Sequence, residues 1–192
     1  MKKIPTIFDR NWEGNRSVID KPTIGCEWVF DGEGTATEKI NGTNIKVKIK
    51  DSLIVYIWKR KNPNKQEKAE GKEPYYVDAH REDSQDKHIF KAVNGWSSML
   101  KQEGAYELSN GEYECEAYGG KIQGNPLECE PNLYFFKIKP KIYENVPRDY
   151  EKLKNYLSCL ASHFNPTRLA EGIVFHHLDG RMAKIKRRDF KF

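Results

Sequence analysis

The chain has 192 residues, of which 38% are hydrophobic and 32% charged, and a formal net charge of +5. This composition is typical of a soluble, single-domain globular protein, and its mild basic excess is compatible with a polyanionic partner without requiring one. No apolar run approaches the roughly 20 residues of a membrane helix, and the N-terminus lacks a signal-peptide core. These features predict a cytoplasmic protein. Its four cysteines show neither CxxC nor zinc-type spacing, which predicts reduced thiols.

The first half of the chain contains a clear hairpin pattern and a clear helix pattern. Residues 44–50 (NIKVKIK) alternate polar and apolar, and residues 53–60 (LIVYIWKR) follow after a short turn, which predicts a β-hairpin. Residues 61–74 are charged and hold two prolines, which predicts a long loop. From Ser84 to about Gln102 the apolar residues recur on one face, which predicts a helix.

The second half adds strands and one further helix. Residues 111–120 and 132–139 read as strands, and residues 147–163 predict a helix with Pro147 near its start. The C-terminal segments EGIVFHH and RMAKIKRR flank an LDG turn and predict a second hairpin. Mostly antiparallel strands with two helices between them indicate an α+β fold.

Several polar residues lie where a strand pattern alone does not require them. Lys39 lies between Gly34 and Gly42 and is a candidate nucleophile, and Lys184 and Lys186 share one face of a strand. Two such cations suit a phosphate site, two strand glutamates suit a hydrated divalent metal, and an aromatic strand suits base stacking. The other members of this set are Asn41, Asn44, Arg60, Glu116, Phe135 and Glu171.

Each residue also has an ordinary structural explanation when it is taken alone. Lys39 then is a solvated lysine, the other two lysines mark the wet face of an antiparallel strand, and the LYFF aromatics belong to a core. The order in which the whole set occurs favours a functional site over these separate explanations.

This ordered set resembles the motifs of the covalent nucleotidyltransferases, which comprise RNA ligases, DNA ligases and mRNA capping enzymes. The segment EKINGTN at 38–44 is similar to their nucleotidyl-lysine motif. The remaining motifs follow in the family's order, with KR at 59–60, ECEAYG at 114–119, LYFF at 133–136, EGIVF at 171–175 and AKIK at 183–186. Over residues 3–190 the chain resembles a compact RNA ligase family of phages and eukaryotes.

The resemblance implies ATP-dependent joining of a 5′-phosphate RNA end to a 3′-hydroxyl, through lysyl-AMP and adenylylated RNA. It implies one adenylyltransferase domain over residues 1–192, with twisted antiparallel sheets around a nucleotide cleft and no C-terminal nucleic-acid-binding domain. The oligomeric state stays open, with a monomer as one possibility. The implied cofactors are ATP, as substrate, and Mg²⁺ or Mn²⁺.

The resemblance also implies a role for each matching residue. Lys39 would be the nucleophile, Glu171 would hold metal-bound water, and Lys184 and Lys186 would grip the phosphates. The implied nucleotide contacts are Glu38 through its backbone, Asn44, Arg60, Glu116, Phe135 (or Tyr134) stacked on adenine, and Val174 on the other adenine face.

One departure from the family concerns the metal. Many relatives carry Asp where this chain has Asn41, which can still accept a hydrogen bond from metal-bound water but carries no charge. We therefore expect an altered metal affinity and a preference for Mn²⁺. The rival hypotheses are a capping enzyme, a DNA ligase and an inactive RNA-binding module, and the RNA that is joined stays open among nicked duplex, broken tRNA loop and single strand.

Overall fold

The computed structural model describes residues 3–103, 108–138 and 140–192. Within these ranges the chain is an α+β protein in which every ladder between strands is antiparallel, as the sequence predicts. The strands are β1 (Phe8–Arg10), β2 (Val18–Pro22), β3 (Thr35–Lys39), β4 (Thr43–Lys50), β5 (Leu53–Lys61), β6 (Tyr75–Asp78), β7 (Gly111–Tyr118), β8 (Asn132–Phe135), β9 (Gly172–His176) and β10 (Met182–Lys186). The helices are α1 (Glu27–Phe30), α2 (Lys65–Ala69), α3 (Asp86–Glu103) and α4 (Tyr150–Cys159).

The chain divides into two compact units. The stretch that begins at Asn41 and contains β4 to β8 forms one, called here the central unit. The segments Ile4–Ile40 and Pro140–Phe192 form the other, called here the terminal unit. In the described ranges, no helix combines the length and the apolar character that crossing a bilayer demands.

The central unit is a five-stranded sheet, in the order β6-β5-β4-β7-β8, with α3 packed on one face. Alternation along β4 buries Ile45, Val47 and Ile49, and α3 covers them with Ile89 and Trp96. The predicted hairpin and the long helix are thereby confirmed, and the side chain of Leu100, predicted on the helix's apolar face, lies outside the described side chains.

The segment predicted as a plain loop at 61–74 contains the short helix α2. The Asn64 side chain accepts a hydrogen bond from the Glu67 amide at 2.9 Å, and the Glu67 carboxylate accepts one from the Asn64 amide at 2.8 Å. This capping box satisfies two otherwise unpaired amides and starts the helix directly after Pro63. The strand predicted at 132–139 is also shorter, because it ends at Phe135 and turns there.

The terminal unit is built on a three-stranded sheet, in the order β10-β9-β3, with the separate β1-β2 pair and α4. Its core contains the α4 residues Leu153 and Leu157, and Phe175 from β9. Helix α4 begins later than predicted, because the Asp149 side chain caps it by accepting the Lys152 amide at 2.9 Å, which leaves Pro147 outside the helix.

The C-terminal hairpin of β9 and β10 is confirmed, but β10 ends at Lys186. Residues Arg187–Asp189 form a 3₁₀ turn, whose Asp189 carboxylate accepts the Lys186 amide at 2.9 Å. The strand predicted over RMAKIKRR is therefore shorter than expected, because Arg187 and Arg188 belong to this turn.

Gly95 in α3 provides a stability test of the packing in the central unit. A Cβ at this position would lie 2.0 Å from the Pro131 carbonyl oxygen, so the helix contacts the approach to β8 through bare backbone. Helix propensity alone favours alanine over glycine by about 0.8–1 kcal/mol, but this overlap should dominate and lower the free energy of unfolding by roughly 1–3 kcal/mol. Urea unfolding of Gly95→Ala measures the sign, and exposed Ser98→Ala is the control, for which we expect no loss. A more stable Gly95→Ala variant would contradict the contact.

Candidate functional site

Lys39 is the last residue of β3, where the chain leaves the three-stranded sheet. Its Nζ donates a hydrogen bond to the Ile40 carbonyl at 3.2 Å and is 2.7 Å from Glu171 Oε2. The side chain is 19% exposed, so it is a largely enclosed lysine and not a solvated one. The sheet thus fixes the ammonium group at one point near its edge.

Glu171 joins two of the predicted lysines. One of its carboxylate oxygens lies 2.7 Å from Lys39 Nζ, and the other lies 2.7 Å from Lys186 Nζ. The register explains this meeting, because Gly172 on β9 pairs with Lys39 on one side and with Lys186 on the other. These three charged side chains, called here the lysine–glutamate cluster, are brought together from three distant parts of the sequence.

The cluster holds its carboxylate in the charged form. Burial raises the pKa of Glu171, but Lys39 and Lys186 lower it more, so the pKa lies below its usual value of 4.5. One carboxylate faces two ammonium groups, and Arg188 adds a guanidinium nitrogen at 3.9 Å from Glu171 Oε1. The local excess of positive charge suits an anionic ligand.

Gly172 is required between the two lysines for steric reasons. A Cβ at this position would lie 2.1 Å from the Ile185 carbonyl oxygen and 2.7 Å from Lys186 Cα. Any side chain here would push β10 away from β9 and separate the cluster.

Val174 and Lys184 lie on the same face of this sheet as the cluster. They pair with each other, and Val174 also pairs with Thr37 on β3. Ala183 and Ile185 alternate with the two lysines of β10 and are buried in the core. Lys184 and Lys186 therefore share one face, as their spacing predicts, and Lys186 contacts Glu171.

The Glu38 side chain lies on the opposite, core-facing side of β3. Its buried carboxylate accepts hydrogen bonds from the Ser162 hydroxyl at 2.5 Å, the His163 amide at 2.7 Å and the Tyr143 hydroxyl at 3.0 Å. Its own amide donates to the Lys141 carbonyl at 2.8 Å. These contacts make the Glu38 side chain an anchor for the strand that carries Lys39, and the contact of its backbone to adenine stays a prediction.

Sequence reasoning missed the three partners of Glu38. Ser162 and His163 lie more than 120 residues away in sequence, and Tyr143 lies 105 residues away. Burial raises the pKa of Tyr143, and the neighbouring Glu38 charge raises it further, so its hydroxyl stays a donor. No local sequence motif predicts such a network. The sequence offers one indication of it, which is the charged residue Glu38 at a core-facing position of β3.

The central unit brings three other predicted positions into one row. Asn44 pairs with Glu116, which pairs with Tyr134, and all three lie on the sheet face opposite α3. The Tyr76 hydroxyl donates to Asn44 Oδ1 at 2.8 Å, while Asn44 Nδ2 is buried without a described partner. We call Asn44, Glu116 and Tyr134 the polar row.

Phe135, the aromatic predicted to stack on adenine, lies on the other face. Its ring packs 5.1 Å from that of Trp96, centroid to centroid, within the core under α3. The register with β7 decides this, because Phe135 pairs with buried Cys115 and Tyr134 with Glu116. Tyr134, the alternative allowed by the sequence, is the aromatic that belongs to the polar row.

The remaining predicted residues, Arg60 and Asn41, also belong to the central unit. Arg60 on β5 pairs with Tyr76 on β6. Asn41 lies in the connection between β3 and β4, just before Gly42, where a Cβ would lie 2.4 Å from the Ala117 carbonyl oxygen. The backbone at Gly42 lies so close to β7 that no side chain fits there, which explains why the NGT segment has a glycine.

The donor set fits a divalent metal that is held partly by its substrate. Among the described residues no group of three or more metal-ligating side chains occurs, so these ranges offer no cage made of protein alone. Glu171 supplies one charged carboxylate near three cations, an arrangement that suits a hard ion shared with phosphate oxygens.

Comparison with solved structures finds a similar fold. A Naegleria gruberi RNA ligase mutant with AMP and Mn is similar over 98% of this chain, at 16% identity and a TM-score of 0.52. Two further mutants of that ligase, one apo and one with AMP and Mn, give TM-scores of 0.51 and 0.50 at 16% and 15% identity. This chain has an RNA-ligase-like fold.

The extent of the match limits what it shows. The chain spans 58% to 62% of the length of these ligase chains, and at such identity the likeness shows the fold alone. No protein-family model and no curated protein matches the sequence.

Replacement of the bridging carboxylate tests the cluster through pH. A lowered pKa in the folded state means that ionised Glu171 stabilises the protein above about pH 4.5 and that this stability is lost as pH falls. Glu171→Gln should therefore cost roughly 2–4 kcal/mol at pH 7, because two lysines lose their partner, and much less near pH 3. Chemical unfolding of both proteins across this range measures the difference. A difference independent of pH would mean that packing, not charge, holds the cluster together.

Proposed function

We propose that this protein is an ATP-dependent RNA ligase that works through a lysyl-AMP intermediate. The observation that carries the proposal is the lysine–glutamate cluster, in which Lys39 and Lys186 bind the two oxygens of Glu171 at 2.7 Å each. The motifs that the sequence shares with covalent nucleotidyltransferases and the RNA-ligase-like fold support the same assignment.

In the first step Lys39 Nζ attacks the α-phosphorus of ATP. A nitrogen–phosphorus bond forms, the bond to pyrophosphate breaks, and the amine loses its proton. An ammonium group has no lone pair, so Lys39 must release a proton to solvent before it attacks. Lys186 and Lys184 would then contact the phosphate oxygens and stabilise the charge that develops there.

The later steps transfer AMP to RNA. The RNA 5′-phosphate attacks the lysyl-AMP phosphorus and releases Lys39, and the RNA 3′-hydroxyl then attacks the activated 5′-phosphate and releases AMP. The phosphoramidate of lysine is energy-rich, so AMP can pass onward from it, which suits lysine as a transient carrier.

Glu171 is the residue we propose for a divalent ion, with Asn41 as a contact to its bound water. When bound, such an ion would supply Lewis-acid polarisation of the phosphate oxygens. The Mn in the ligase structures with AMP is consistent with this choice, and the preference of this chain for Mn²⁺ over Mg²⁺ remains a prediction from Asn41.

The polar row is proposed to bind the nucleoside. Glu116 and Asn44 offer acceptors and donors for ribose hydroxyls, and Arg60 offers a cation. The contact of Val174 with adenine is proposed separately, from the sequence motif alone. Tyr134 replaces Phe135 as the aromatic proposed to stack on adenine. Its ring is 6% exposed and stands edge-on to Phe136 at 5.8 Å, so binding would have to uncover it.

Substitution of the nucleophile tests the reaction directly. Lys39→Ala and Lys39→Arg should both abolish covalent labelling by ATP radiolabelled at the α-phosphate, because neither offers a neutral amine at neutral pH. Both variants should still seal RNA that is already 5′-adenylylated, at least in part, since that step does not use the nucleophile. Labelling of wild type by GTP instead of ATP would indicate a capping-type enzyme, and no label at all would favour an inactive RNA-binding module.

The two neighbouring aromatics test the register of β8. Tyr134→Ala should raise the KM for ATP in single-turnover adenylylation with a smaller effect on stability, because its face is proposed to bind adenine. Phe135→Ala should instead lower the free energy of unfolding by about 3–5 kcal/mol, because it empties the core beside Trp96. Paired ATP titrations and urea unfolding separate the two effects. A KM effect confined to Phe135→Ala would restore the sequence-based choice.

A further inference from the structure

A basic pocket of about 730 Å³ lies within the central unit, and apart from Arg60 the proposed adenylylation chemistry uses none of its lining residues. It is formed by the start of β4, the end of β5, the region before and within the first turn of α3, and the turn after β7. Its size falls within the range of ligand sites in proteins.

One wall of this pocket is a closed ion pair. Lys59 Nζ lies 2.7 Å and 2.8 Å from the two carboxylate oxygens of Asp86, and Asp86 also accepts the His80 amide at 3.0 Å. The negative charge of Asp86 is thus neutralised inside the protein. Asp86 is the one carboxylate among the lining residues, all of which lie in described ranges.

The other ionisable groups of the lining are basic. They include Lys61 from β5, Lys121 from the turn, and His88 from α3, while Arg60 follows Lys59 on β5 and alternates toward the opposite face. Loss of hydration lowers the pKa of His88, and the charges of Lys87, Lys91 and Lys121 lower it further. A histidine that responds to several cations and to no carboxylate marks a region of positive potential.

The turn that carries Lys121 has a constrained backbone. Gln123 adopts a left-handed conformation with φ of 48°, and a Cβ at Gly119 would lie 2.3 Å from the Glu130 carbonyl oxygen. The Asn125 side chain holds the turn closed with two 3.0 Å hydrogen bonds to the backbone of Cys129. Such constraint is concentrated at ligand-binding positions, and here it fixes the base of Lys121 at the pocket.

We propose that the basic pocket binds the phosphodiester backbone of the RNA substrate, with Lys61 and Lys121 as its principal phosphate contacts. The proposal rests on the proposed RNA ligase function for the identity of the polyanion. The pocket lining contains no Phe, Tyr or Trp on which a base could stack, so recognition there is of backbone and not of base sequence.

The neutral part of the lining favours a ribose strand. Thr43, Ser84, Gln85 and Gln123 present hydroxyl and amide groups beside the cations. Such groups can donate to and accept from a ribose 2′-hydroxyl, the group that distinguishes RNA from DNA at a given site. An ATP triphosphate shares the phosphate chemistry, so the test must separate the two ligands.

The experiment measures binding of a fluorescent 12-nucleotide RNA with a 5′-phosphate by anisotropy, over a series of salt concentrations. Lys61→Ala and Lys121→Ala should each weaken binding roughly three- to tenfold at low salt and reduce the salt slope by about 0.7, with larger losses in the double variant. Lys50→Ala is the matched control. It removes the same charge from the exposed opposite end of β4, seven residues or about 23 Å from Thr43.

Labelling with ATP in the absence of RNA provides the second arm. It should stay within about twofold of wild type in the two lysine variants if the pocket serves RNA. A proportional loss of labelling would assign the pocket to the ATP phosphates instead, and RNA binding equal to that of Lys50→Ala would overturn the proposal. Because RNA binding is measured without catalysis, failure of wild type to label would count against the ligase function and not against the pocket.

Discussion

The carboxylate of Glu171 is the constraint on which the proposed chemistry depends. Two lysines on one small sheet repel each other, and Glu171 holds both by giving each one a separate oxygen at 2.7 Å. This arrangement needs the backbone of β9 to lie directly between β3 and β10, which Gly172 permits by having no side chain. The core of the terminal unit then has to keep β3, β9 and β10 in register, and the cluster forms as a consequence.

Side chains alternate between the two faces along β3 and β8. In each strand one face makes structural contacts and the other carries a residue of the proposed site. On β3 the buried carboxylate of Glu38 fastens the strand to Ser162 and His163, while the next residue, Lys39, faces Glu171. On β8, Phe135 packs on Trp96 while Tyr134 joins the polar row. Adjacent residues thus have opposite functions, and a register shift of one position would bury the reactive groups.

A feature could be predicted from the sequence where local pattern determines it, and could not where pairing between distant strands determines it. The common face of Lys184 and Lys186 follows from period 2 alone, and the hairpin of β4 and β5 follows from local pattern. The choice between Tyr134 and Phe135 does not, because both are aromatic and only the register with β7 separates them. Helix α2 left a readable Asn64–Glu67 capping box, but two prolines and high charge favoured a loop.

In the reaction proposed above, Glu171 changes partners when nucleotide binds. In the described structure its two oxygens contact Lys39 and Lys186. An incoming phosphate brings its own negative charge to Lys186, so the carboxylate is no longer needed there and can turn to a metal ion. Under the proposed function, the substrate itself would thus separate Lys39 from Glu171 and free the nucleophile for attack.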